Sequence, residues 1–350
     1  MTTAALSSPF CFVTCQPGAE PFVKADVARR HPGLRLAFSR PGFVTFKNPE
    51  GNFPVDGPAP TVLARCWGPG FGSALKGDHA LRDACARLSA LVGDQPAVLH
   101  AFQRDMFPVG EEPPAFDPWA QEAALCKRVL DTGACRWPIN VAPSPGQLVL
   151  DVMEVDPALV FVGAHVGGPS RRPTPGGRPP QRSTPQDVPS RVWFKMEEAI
   201  WWTGQSPGPK DTVLDIGCAP GGGPLALLNR GARVVGVDPG DMHPVVLAHP
   251  AFTHLALPFE QLSPEDLPQD IRWLVFDVNL SPTLTLGALK RLCLRLPRLE
   301  QAFLTLKLNT VEHVDRLDWM MEQLHAAGFA RLTPTQLFHN RQELFVHAQR

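Results

Sequence analysis

Residues 213–228, VLDIGCAPGGGPLALL, run from an apolar strand-like stretch through a glycine-rich turn into the start of a helix. In the turn, Gly217-Cys218-Ala219-Pro220-Gly221-Gly222-Gly223, the glycines let the backbone approach a ligand where any Cβ would clash. Ligands of open α/β sheets bind at such a turn, at the carboxyl end of a strand. Asp238 closes the next apolar run, VVGVDPG, about 20 residues on, the spacing of an acid that accepts hydrogen bonds from ribose hydroxyls. Gly217, Ala219, Pro220, Gly221, Gly222 and Asp238 are therefore candidates for holding a nucleoside-containing cofactor. The dinucleotide pattern GxGxxG requires glycine at 219, where alanine stands, and Pro220 suits a turn cradling an amino-acid group better than a helix end aimed at pyrophosphate. A nicotinamide cofactor is the weaker reading.

Four ionisable residues interrupt apolar stretches further along. Lys195 lies in SRVWFKMEEAIWWTG, Asp277 follows WLVF, Lys307 sits late in AFLTLKLN, and Glu343 opens ELFVHA. A charge in an apolar stretch is costly unless it is paired. Two unrelated buried salt bridges would meet that requirement, and so would one shared site.

The elements that must position these groups are legible from hydrophobic periodicity. A helix is expected over 190–204. Strands are expected at 212–217, 232–238, 273–278 and 302–309, with helical segments between them. That alternation predicts a Rossmann-like parallel α/β sheet with helices on both faces. FARLTPTQLF and ELFVHA, joined by HNRQ, predict a closing hairpin that puts one antiparallel strand at the end of the sheet. The first half reads as α+β. Strands are expected at 10–15, 42–47, 61–68, 97–105, 147–155 and 158–166, and helices at 17–31, 79–93 and 119–133. No catalytic constellation appears there. Between the halves, GGPSRRPTPGGRPPQRSTPQDVP (167–189) loses all periodicity. It reads as an extended linker whose Arg171, Arg172, Arg178 and Arg182 are either solvated or in contact with phosphate.

Composition narrows the classes. With 350 residues, 44% of them hydrophobic, the chain can build two or three cores. Its net charge is −1, so nucleic-acid binding cannot rest on bulk charge and would need a local patch. None of the eight cysteines forms a CxxC pair, and no Cys/His spacing suggests zinc. They read as reduced thiols filling cores, with no metal expected. No apolar run approaches the roughly 20 residues of a membrane span, and the N-terminus lacks the pattern of a secretory signal. A cytoplasmic protein with no membrane contact and no obligate protein partner is expected.

The segments SRVWFKMEEAI, DIGCAPGGG, VFDVNLSP, TLKLN and QLFHNRQELFVH together resemble the motif series of the FtsJ/RlmM-type ribose 2′-O-methyltransferases. QLFHNRQELFVH is most similar to the RlmM branch, and CFVTCQPGAEPFVKADV with FSRPGFVTFK resembles its N-terminal region. The resemblance implies a ferredoxin-like segment (1–60), a THUMP-like RNA-binding domain (61–166), the linker (167–189) and a methyltransferase domain (190–350). It implies S-adenosylmethionine as cofactor, large-subunit rRNA as partner and a cytidine ribose of 23S rRNA as methyl acceptor. Lys195, Asp277, Lys307 and Glu343 match the catalytic Lys-Asp-Lys-Glu tetrad. Ser190, the turn from Gly217 to Gly222, Asp238 and Asp277 match cofactor positions. A ribose hydroxyl is a poor nucleophile, so Lys307 is expected to take its proton, helped by a neighbouring cation, Lys195. Two departures stand out. Gly223 replaces the family's bulky Trp, and Pro258 takes the place of its adenine-contacting acid, leaving Glu260, two residues on, as the candidate. The chain has no tyrosine, so a base would stack on Trp, Phe, His or Arg. The alternatives are a methyltransferase of the same fold acting on a small molecule or protein, and a non-catalytic RNA-binding relative. Two lysines and two acids in the tetrad argue against both.

Overall fold

In the first half, apolar runs with period two pair into one sheet. The computed structural model describes residues 6–108, 110–111, 116–157, 159–181 and 187–350, and the chain divides into two units, 1–181 and 182–350. The first unit runs β1 (Ser7–Ser8), β2 (Phe10–Thr14), α1 (Glu20–Arg30), β3 (Arg35–Arg40), β4 (Phe43–Lys47), β5 (Phe53–Pro54), β6 (Cys66–Gly70), β7 (Leu75–Lys76), α2 (Ala80–Val92), β8 (Ala97–Gln103), α3 (Pro118–Asp131), β9 (Leu148–Asp156) and β10 (Leu159–Val166). Its main sheet has the order β3-β4-β2-β6-β10-β9-β8, with β7 pairing to β10 and only β8 and β9 parallel. Strands from both sides of position 60 share this sheet. Helices α2 and α3 pack Ala84, Leu88, Leu125 and Val129 against Leu99, Leu150 and Val162 on one face.

Two expectations need correction. The strand expected over 61–68 begins only at Cys66, because 61–65 form a turn in which Thr61 donates to the buried Asp26 at 2.7 Å. The segment from 167 to 181 is no solvated linker. It belongs to the first unit and lies along the sheet as a strap. Gly176 and Gly177 have φ of +60° and +72°, and a Cβ would come within 2.8 Å of the Phe102 ring and 2.5 Å of the Arg65 carbonyl. Only glycine fits so close a backbone approach. The arginines serve internal acceptors. Arg171 donates to the carbonyls of Trp67 and Gly57 and lies 4.3 Å from the Trp67 ring centroid. Arg172 is buried, and the buried Arg178 pairs with Asp105 at 2.7 Å and Glu122 at 3.0 Å. Arg182 lies outside the described residues.

The second unit runs α4 (Val192–Thr203), β11 (Thr212–Ile216), α5 (Gly222–Leu228), β12 (Arg233–Val237), α6 (Pro244–Leu247), β13 (Phe252–Leu255), β14 (Ile271–Phe276), α7 (Pro282–Cys293), β15 (Gln301–Lys307), α8 (Leu317–Ala326), β16 (Arg331–Thr335) and β17 (Glu343–Gln349). The sheet order is β13-β12-β11-β14-β15-β17-β16, with β11 to β15 parallel as the alternation of strands and helices predicted. The chain's last strand is the antiparallel one, but it enters between β15 and β16 and does not lie at the edge. Pro334 is compatible with this order, because an edge strand has no second ladder to donate to, and β17, buried from Leu344 to Ala348, fills the slot inside it. Among the described residues no helix is long and apolar enough to cross a membrane.

Candidate active site

The carboxyl edge of the parallel strands gathers the ionisable residues. Asp277 directly follows β14, and Lys307 ends β15. Glu343 opens β17, which runs the other way, so it pairs with Lys307 across the strands at the same edge. Lys195 comes from the second turn of α4. Its Nζ donates to Asp277 Oδ2 and Glu343 Oε2, both at 2.7 Å. Lys307 Nζ donates to the other oxygens, Asp277 Oδ1 at 3.1 Å and Glu343 Oε1 at 2.5 Å. The four form a closed ring of alternating charge, not two separate salt bridges.

Burial resists charge on Lys195, but Asp277 and Glu343 outweigh it and raise its pKa above the ordinary lysine value. Asp277 is likewise opposed by burial, and the two lysines hold it down to about 2. Glu343 is lowered for the same reasons. Lys195, Asp277 and Glu343 are therefore ionised at neutral pH. Lys195 is thus a cation that shares both of its carboxylates with Lys307. Two carboxylates stand between the lysines, and Lys195 keeps its proton.

The motifs around the ring hold it in place. Glu198, one turn beyond Lys195, is fully buried. It accepts from the backbone N–H of Phe338 (2.7 Å) and His339 (3.0 Å) and pairs with His339 Nδ1 (2.8 Å), tying α4 to the loop that leads into Glu343. Asn340 in that loop donates to Glu343 Oε2 at 2.9 Å. Glu197 pairs with Arg230. Sequence reasoning missed Glu198, His339 and Asn340, although adjacent acids in KMEEAI at helical spacing from Lys195 were a usable signal.

The glycine turn lies beside the ring. A Cβ on Gly217, whose φ is +83°, would fall 2.2 Å from the Asp277 carbonyl, and one on Gly222 would fall 2.4 Å from Ser190 Oγ. The Ala219–Pro220 bond is cis. Asp238 accepts from the N–H of Ala219 at 3.1 Å and of Gly240 at 2.7 Å, so its half-buried carboxylate braces the turn. Ser190 Oγ is buried with no hydrogen-bond partner. Glu260 is exposed, on a short turn after β13.

Asp215 is a group the sequence reading passed over, although it is a lone carboxylate inside the apolar run VLDI. Burial, then Asp277 and Asp238, raise its pKa to about 8, and its Oδ2 has no partner. It lines a cleft of about 410 Å³ together with Lys195, Gly223, Asp277, Thr305 and Phe345. A Cβ on Gly223 would lie 3.1 Å from its carboxylate, so the cleft occupies the side where the resembling family carries Trp. Between pH 4 and 8 the unfolded chain gives up this proton while the folded chain keeps it, so Asp215 lowers stability as pH rises through that window. Denaturation midpoints of Asp215→Asn relative to the natural protein should rise from pH 5 to pH 8, by up to about 1.4 kcal/mol per pH unit. A constant difference would rule out the shifted proton.

A parallel sheet with a glycine turn at its carboxyl edge, an acid on the next strand and a polar orphan beside the turn defines a nucleoside-cofactor enzyme of the methyltransferase class. Residues 188–331 match the FtsJ-like methyltransferase family. Across 91% of its length the chain is 30% identical to the ribosomal RNA large subunit methyltransferase M of Halorhodospira halophila, covering 88% of that protein. It is 33% identical to the same enzyme of Laribacter hongkongensis over 47% of this chain and 49% of that one. The chain belongs to the ribosomal RNA large subunit methyltransferase M family. Its cofactor is S-adenosylmethionine. The site fits it: Gly217 and Gly222 leave room where side chains would clash, and Ser190 Oγ has an unused hydrogen-bonding capacity beside them.

Proposed function

We propose that this chain transfers a methyl group from S-adenosylmethionine to the 2′-hydroxyl of a cytidine ribose in 23S rRNA. The observation that carries the reading is the closed Lys195-Asp277-Lys307-Glu343 ring at the carboxyl edge of the sheet. The relatives' names supply the large-subunit rRNA. In this reading Ser190 and the turn from Gly217 to Gly222 hold the amino-acid part of the cofactor, and Asp238 takes its ribose. The cofactor supplies a methyl group already activated on sulfonium sulfur, so in-line positioning provides most of the acceleration. Lys307 accepts the hydroxyl proton. It does so in its neutral form, with Asp277 and Glu343 orienting it and Lys195 keeping them ionised. The first unit contributes the RNA-binding surface.

Mass-spectrometric mapping of ribose methylation in large-subunit rRNA tests the reading. Cells lacking the protein should lose one 2′-O-methylcytidine, and the natural gene should restore it. An unchanged methylation map would reject the rRNA substrate. Asp238→Ala is expected to weaken S-adenosylmethionine binding by about tenfold or more, as one charge-assisted hydrogen bond and the brace of the turn are lost together. Unchanged affinity by calorimetry would remove the ribose contact.

A further inference from the structure

The first unit holds a second cluster of chemically capable side chains, on the face of its sheet opposite α2 and α3. His100 on β8 stands directly opposite Asp151 on β9. Asp151 pairs with Gly163, two residues from His165 on β10, and Cys66 begins β6, the next strand over. The period of two therefore points all four side chains to one face. One ligand-capable atom each from Cys66, Asp151 and His165 lies within 4.8 Å of the other two. Their exposures are 6%, 0% and 2%.

The polar atoms of this cluster are incompletely satisfied. His165 Nδ1 bonds Asp151 Oδ2 at 2.8 Å, while Asp151 Oδ1 is buried with no partner. His100 Nε2 lies 3.1 Å from the Val141 carbonyl, which can only accept, so Nε2 carries a proton. His100 Nδ1 is then left buried with no partner, its ring 5.9 Å from that of His165. Buried polar atoms in native proteins rarely lack partners, and an ion is one of the standard explanations.

Cysteine, histidine and aspartate in this order also suggest a nucleophile with its base. Burial argues against that, because no substrate reaches a thiol enclosed by the sheet and the strap. A small ion faces no such obstacle if it enters as the chain folds. Thiolate, imidazole and carboxylate are a donor set for zinc, and the ion would take the place of the proton that His165 Nδ1 and Asp151 Oδ2 share. A bound divalent cation would displace the Cys66 proton, and thiolate and carboxylate together would match its charge.

We propose that Cys66, Asp151 and His165 form a site for a divalent transition-metal ion of the zinc class, with a structural role, linking β6, β10 and β9 of the first unit. Full-length protein produced in cobalt-supplemented minimal medium provides the test, because the ion is then present during folding. The expected result is one cobalt per chain by elemental analysis, with a thiolate-to-cobalt charge-transfer band in the near ultraviolet. Cys66→Ser should lose the band, Cys293→Ser in the second unit should keep it, and Asp151→Asn, which removes a charged ligand, should weaken binding at least about tenfold, no less than the loss of an outer-shell partner. Cobalt absent from the natural protein, cobalt retained without the band, or a band that survives Cys66→Ser would each overturn the proposal. If Cys66→Ser does not fold, the spectrum and metal content of the natural protein decide alone.

Discussion

Replacing Lys307 by arginine is expected to abolish methyl transfer while leaving the fold and the affinity for S-adenosylmethionine nearly intact. Arginine keeps the positive charge that Asp277 and Glu343 require, so the ring stays neutral, but a guanidinium does not give up its proton and cannot act as a base. General-base contributions are about 10²–10⁴-fold, and a loss of that size is expected in single-turnover transfer to rRNA. Lys307→Ala should be equally inactive but also less stable, because Lys195 would then face two buried carboxylates alone. The pair of variants separates chemistry from packing. Turnover retained by Lys307→Arg would end the base assignment, and loss of cofactor binding in the same variant would point to a positioning role.

Asp105→Ala is expected to cost about 3–5 kcal/mol, the usual penalty for removing one partner from a buried ionic network. Asp105 joins two buried arginines, Arg65 next to β6 and Arg178 in the strap, so its loss affects both the sheet and the segment lying along it. Typical domains have only about 5–15 kcal/mol in total, so the change should be plain in chemical denaturation. Burial alone would raise the pKa of Asp105, but the two guanidiniums outweigh it and hold it below the ordinary carboxylate value. The stabilisation is thus complete above the unfolded value near 3.8 and fades as pH falls through the lower folded value. The gap between Asp105→Ala and the natural protein should narrow under acid. A loss below about 1 kcal/mol at neutral pH would show that the strap does not depend on this acid.

Much of the second unit could be read in advance. Local backbone requirements leave local marks: glycines at 217, 221 and 222, an acid ending the next strand, and apolar runs with period two between helices. Lys195, Asp277, Lys307 and Glu343 were visible as charges that an apolar segment cannot carry alone. Their arrangement as a ring was not visible. It depends on β17 entering the sheet antiparallel, so that Glu343 meets Lys307 across two strands. Pro334 marked β16 as an edge strand, but which strand would lie beside it was not visible.

The sequence by itself marked most of the helices and strands, the glycine turn and the four charged residues, because each rests on residues close together in the chain. Tertiary structure decided the rest. Four arginines in a Pro/Gly-rich stretch read as either solvated or in contact with phosphate, yet the described Arg171, Arg172 and Arg178 are partly or wholly buried; the acceptors of Arg171 and Arg178 lie 56 to 116 residues away in sequence. Cys66, Asp151 and His165 showed no metal spacing because they come from three strands, and only the sheet register brings them within reach of one ion. Hydrogen bonds and ion pairs depend on distance in space, and spacing along the chain records that distance only within a single helix, strand or turn.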